Sequence, residues 1–190
     1  MPIPDWTATG ILPPIPEGVA GHSPDRSPYR VGLVEVAERF VFSPERAAIF
    51  RGFLGYREAL RRLGLVNGFQ WLNGSFMEHV EETEGRAPRD IDVVTFFELP
   101  VGVVSQADLP LSEETGLMDA KRAYRVDAYL LELGQPMDAV RTRQVAYWNS
   151  MWSHRRDRVW KGYLEVDLEP KQDAEAGTRL DTIEQEGFPQ

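Results

Sequence analysis

The chain has no cysteine, which removes disulfides and thiolate metal sites and leaves the redox compartment unmarked. Long apolar runs are missing as well. None approaches the ~20 residues a helix needs to cross a bilayer, so no membrane partner is expected. The opening MPIPDWTATG lacks the basic-then-apolar order of a secretory leader. Together these absences lead us to expect a cytoplasmic protein. His22, His79 and His154 are scattered, without metal-ligand spacing. Neither G-x-x-x-x-G-K-[ST] nor G-x-S-x-G occurs, which removes the sequence cues for a P-loop and for a hydrolase elbow.

Positive charge is also in short supply. The net charge is −9, whereas a broad grip on nucleic acid shows as a basic patch or stripe. The one dense basic cluster is Arg155, Arg156, Arg158 and Lys161, after an aromatic helical segment. It is expected to be a charged loop at a helix C-terminus, where cations are favoured. The alternative is an acceptor such as RNA, held by phosphate contacts and by stacking on Trp152 or Trp160.

What is present suits one α/β domain. A length of 190 residues, with 42% hydrophobic and 27% charged residues, supports a single core. Residues 1–30 are rich in proline, which cannot extend a helix, and are expected to form an extended arm pinned by Trp6, Ile11 and Leu12. Residues 31–168 should hold the domain. A short helix is expected over 31–40. A long helix should follow over 44–63, with Ser43 as cap, Pro44 at its first position and Gly64 as the stop. Strands are expected at 68–72, 91–97, 123–133 and 161–168, and a second strong helix over 136–152, with Met137, Val140, Gln144, Tyr147, Trp148, Met151 and Trp152 on one face and the two tryptophans in the core. Residues 98–119 read as a long excursion. The acidic tail, 169–190, has few apolar residues and is expected to be mobile.

Two aspartates, Asp90 and Asp92, stand at the head of the apolar run Val93, Val94, Thr95, Phe96 and Phe97, although aspartate is depleted from strands. Strand alternation points Asp90 and Asp92 the same way, with Ile91 and Val93 turned to the core. Asp127 falls in the same kind of place, opposite in phase to Val126, Ala128 and Leu130. If the two strands are neighbours, three carboxylates meet at one end of a sheet. Ionised carboxylates so close require a cation or a proton, and oxygen donors of this kind suit Mg²⁺ or Mn²⁺.

The ordered set Gly74-Ser75, then Asp90-Ile91-Asp92-Val93, then Val126-Asp127-Ala128 resembles the polymerase-beta-type nucleotidyltransferase superfamily. The matching core covers 68–133. Outside it the chain is similar to short bacterial nucleotidyltransferase-like proteins, through Leu12-Pro13-Pro14 and Lys161-Gly162-Tyr163-Leu164. The resemblance implies a small mixed β-sheet of the nucleotidyltransferase type with flanking helices. It implies an NTP substrate held at Gly74 and Ser75, and Mg²⁺ or Mn²⁺ held by Asp90, Asp92 and Asp127. The implied reaction moves a nucleoside monophosphate to a hydroxyl acceptor: RNA, protein or a small molecule. A toxin–antitoxin or phage-defence setting follows by analogy, as does a protein partner or a homo-oligomer. The alternative is the same fold without turnover, acting as a binding or regulatory partner.

Overall fold

The computed structural model describes residues 2–188. It is a mixed α/β protein built on one five-stranded sheet. The strands are β1 (Tyr29–Arg30), β2 (Gly68–Asn73), β3 (Ile91–Phe97), β4 (Val126–Glu132) and β5 (Leu164–Asp167). Their order across the sheet is β1-β5-β2-β3-β4. β2 runs antiparallel to β3 and β5, while β4 lies parallel to β3 along an edge. The helices are α1 (Leu33–Phe40), α2 (Pro44–Arg62), α3 (Val80–Glu84), α4 (Ala120–Tyr124), α5 (Ala139–Trp152) and α6 (Pro170–Glu186).

α2 starts where its cap chemistry requires. The Ser43 hydroxyl accepts from the Arg46 amide at 3.3 Å, and Pro44 takes the first helical position. Ile49, Phe50, Phe53 and Leu60 are fully buried against the sheet, each contributing about 1.5–3 kcal/mol through removal of its apolar surface from water. With α1 and α6 this helix covers one face, where Leu72, Ile91, Val93, Phe97 and Val126 turn inward. The other face carries a smaller cluster: Trp71, Val94, Phe96, Leu131, Trp152 and Tyr163. Among the described residues α5 is the one helix that leans on that side, through Trp148 and Trp152.

The N-terminal arm is extended and packed. Trp6 donates its indole N–H to the Met77 carbonyl at 2.9 Å and stacks on His79, while Ile11 and Leu12 are buried.

Four expectations are corrected. Residues 123 and 124 belong to α4 rather than to a strand, and Arg125, at φ 56, ends the helix in the left-handed region before β4 begins. α5 starts at Ala139, not at 136, because the Asp138 carboxylate accepts from the amides of Val140 and Arg141 and caps it there. Its packed face is narrow as well. Trp152 is buried, but Met137, Val140, Tyr147 and Met151 are exposed. The acidic tail is not loose: Pro170–Glu186 is helix α6, with Ala176, Leu180 and Ile183 buried on α1 and α2. Its acids have partners. Asp173 binds the buried Arg57, and Asp181 and Glu184 bind Arg51. Among the described residues no helix is long and apolar enough to cross a membrane.

Candidate functional site

The turn after β2 is fixed from below by α2. Arg46 is fully buried and donates to the Phe76 carbonyl at 2.7 Å, to the Glu78 carbonyl at 2.6 Å and to both Glu81 oxygens. A guanidinium with its donors spent this way holds the segment following Gly74 and Ser75 in one place. Gly74 itself has φ 84 and ψ −172, a conformation essentially restricted to glycine. Its open side faces Asp92.

The three aspartates come together on the α5 side of the sheet. Asn73 is opposite Asp92 across the β2–β3 pair, and Asp92 is opposite Asp127 across the β3–β4 pair. Asp90 stands just before β3. A single ammonium, from Lys121 on α4, bridges Asp90 at 2.9 Å and Asp127 at 3.0 Å. These carboxylates in turn raise the Lys121 pKa above its usual range. Burial pushes the Asp92 carboxyl up to about 6, the like charges of Asp90 and Asp127 push the same way, and Lys161 and Lys121 oppose them.

A second layer supports the site. Lys161 is buried and donates to Glu78 at 2.6 Å, in the segment just past the Gly74 turn. Asn73 donates to the Trp152 carbonyl at 2.9 Å, tying the end of α5 to the end of β2. Tyr129 follows Asp127 on the same face and meets Trp148 at 4.7 Å between ring centroids.

Each residue singled out in the sequence can now be placed. Asp90, Asp92, Asp127 and Gly74 gather at one end of the sheet, and Ser75 opens the turn after Gly74. Asp119 is spent as the cap of α4, accepting from the Arg122 amide at 3.1 Å. The basic cluster divides: Lys161 is interior, Arg155 pairs with Glu78, Glu84 and Asp157, and Arg156 and Arg158 are exposed. Sequence reasoning missed Lys121, Asn73 and the Lys161–Glu78 pair. Lys121, six residues before Asp127, carried no motif that would have marked it.

The donor set fits a divalent cation in kind: three carboxylates, one of them reluctant to ionise where it stands. In closeness it is held one step short. Among the described residues no group of three or more His, Asp or Glu is gathered tightly enough to hold a metal ion. Lys121 supplies the positive charge instead, from a side chain 58% exposed.

No curated protein and no solved structure matches the chain. One family model, described as "Family of unknown function (DUF6932)", matches residues 4–167, from the N-terminal arm through the last residue of β5 and leaving out α6. The chain belongs to that family.

Proposed function

We propose that this chain is a metal-dependent nucleotidyltransferase, moving a nucleoside monophosphate from an NTP to a hydroxyl acceptor. One observation carries the reading. Asp92 and Asp127 are register partners on parallel strands, with Asp90 beside them and the Gly74 turn closed against Asp92. Asp90, Asp92 and Asp127 would hold Mg²⁺ or Mn²⁺ once Lys121 has moved off them. Bound there, such ions would neutralise charge on the phosphates and on the departing pyrophosphate.

The remaining roles belong to the chain. The backbone at Gly74 leaves room for phosphates, and the Ser75 hydroxyl and amide can donate to a phosphate oxygen. Asp127, near the sheet edge, would take the proton of the acceptor hydroxyl as its oxygen attacks the α-phosphorus. The bond from that phosphorus to the bridging oxygen then breaks, and pyrophosphate leaves. Arg46 and the Lys161–Glu78 pair keep the turn in position. Lys121, displaced from the carboxylates, is long enough to meet the negative charge of the triphosphate.

A second reading is favoured by the same lysine. If Lys121 is a permanent substitute for the cation, the fold serves as a binding or regulatory partner without turnover. The two separate when the protein is incubated with Mg²⁺ and each labelled NTP in cell extract. Label moving to RNA, protein or a small species, and lost in Asp92→Asn, supports transfer. Label that never moves, or moves equally with Asp92→Asn, removes it.

A further inference from the structure

We propose that the acceptor is single-stranded nucleic acid, lying along α5 and the turn that follows it. The chemistry of this inference rests on the transferase reading, but the binding does not. The chain carries a net −9, yet residues 139–160 hold five arginines against one aspartate. Most arginines on other surfaces are tied down, among them Arg51 to Asp181 and Glu184, Arg61 to Glu58 and Arg179 to Glu38, while Arg26, Arg89 and Arg125 stand unpaired among the described residues but scattered along the chain. In this segment Arg155 is paired, but Arg141, Arg143, Arg156 and Arg158 have no ion-pair partner among the described residues. Uncompensated guanidinium groups concentrated on an acidic protein are complementary to a polyanion, and their planar fork matches phosphate.

The turn is shaped to present them. His154 and Trp160 pair across it, Arg155 donates its amide to the Val159 carbonyl, and Arg158 donates to the Arg155 carbonyl. Arg158 sits at φ 71, where glycine or asparagine would be less strained. An arginine kept at such a tip points to use of its side chain. Arg155 ties the base of the turn to Glu78 and Glu84, in the segment that follows Gly74.

Aromatic surface decides the kind of polyanion. Trp160 is 61% and Tyr147 55% exposed. Tyr147 meets Trp148 at 5.2 Å, Trp148 meets Tyr129 at 4.7 Å, and Tyr129 is two residues from Asp127 on the same face. Flat rings among arginines suit unstacked bases, which a duplex hides and an acidic peptide lacks. The ring track ends at Asp127, where a terminal hydroxyl would be placed for attack.

The test is fluorescence anisotropy with a dye-labelled single-stranded RNA of about twelve nucleotides, in EDTA and without NTP, from ~50 to ~200 mM salt. Wild type should bind. The double variant Arg156→Ala/Arg158→Ala should bind at least about tenfold more weakly, with the log–log salt slope shallower by about 1.4, ~0.7 for each phosphate no longer neutralised. Trp160→Ala should weaken binding about tenfold and leave that slope unchanged. All three substitutions on the turn are at exposed side chains, and circular dichroism confirms that the variants fold. The proposal is overturned by no binding at the lowest salt, by binding indifferent to these variants, or by displacement with polyglutamate as readily as with unlabelled RNA. RNA binding with no NTP-dependent labelling keeps the surface and removes the transferase. Labelling of protein or small species without RNA binding does the reverse.

Discussion

Gly74 and Asp92 are so close that a Cβ placed on Gly74 would lie 2.9 Å from both the carboxyl carbon and Oδ2 of Asp92. The turn and the carboxylate are therefore fitted together: a side chain cannot be added at Gly74 without moving Asp92.

Gly74→Ala tests that fit. The φ 84, ψ −172 backbone disfavours any side chain by roughly 1–3 kcal/mol, and the methyl group must also displace Asp92. We expect a fall in stability of at least about 2 kcal/mol by urea denaturation, with loss of any Mg²⁺-dependent NTP binding. Gly85, at φ 64 and ψ 27 with nothing near its missing Cβ, gives a milder comparison: Gly85→Ala should cost only about 1–2 kcal/mol, the strain of a left-handed residue without a clash.

The pH dependence follows from Asp92. Its carboxyl is raised from 3.8 to about 6 in the folded state, so between those values the folded protein binds more protons than the unfolded chain. Stability then falls as pH rises through that window, by about 1–3 kcal/mol from this group. Asp92→Asn should flatten the fall and be more stable than wild type at neutral pH, read from melting curves between pH ~4 and ~8.

Lys121→Gln removes the ammonium that bridges Asp90 and Asp127. Without metal the variant should melt lower than wild type at low salt, because the carboxylates are left facing one another. With the competitor gone, Mn²⁺ should bind several-fold more tightly by calorimetric titration. A variant with unchanged metal affinity would show that Lys121 does not compete for the site.

α6 is held by a buried charge. The Arg57 guanidinium, 1% exposed, binds Asp173, the Gln70 side chain at 2.6 Å and the Asp167 carbonyl at 2.9 Å. Asp173→Ala leaves that charge without its counter-ion and should cost roughly 2–3 kcal/mol, near the low end for breaking a buried pair because Gln70 and Asp167 remain. Arg57→Met with Asp173→Leu should recover most of that stability, as measured by urea denaturation.

The parts of the structure that were legible in the sequence depend on nearby residues. The run Val93–Phe97 has strand periodicity in itself, and Ser43-Pro44 announces α2 whatever the rest of the chain does. The phase of Asp127 against Val126 and Ala128 turns it away from the core in the sequence itself; that it meets Asp92 depends on β4 pairing in register with β3. α6 was illegible because its three buried residues, Ala176, Leu180 and Ile183, are few, and the charges that excuse its acids come from Arg51 and Arg57, over a hundred residues away. α4 was misread because Ala123 and Tyr124 suit a strand as well as a helix, and the break between them and β4 depends on Arg125 taking a left-handed conformation. Lys121 escaped notice for a related reason: its two salt bridges need α4 to end where it does.

The central claim is that Asp90, Asp92 and Asp127 form one nucleotide-and-cation site beside Gly74. Its most direct measurement is thermal unfolding of wild type and Asp92→Asn with Mg²⁺ alone, a non-hydrolysable NTP analogue alone, and the two together. The account predicts a rise in melting temperature for wild type that needs both ligands, as binding to the folded state requires, and no such rise for Asp92→Asn. A wild-type protein unmoved by the pair, or a variant that responds as wild type does, would contradict it.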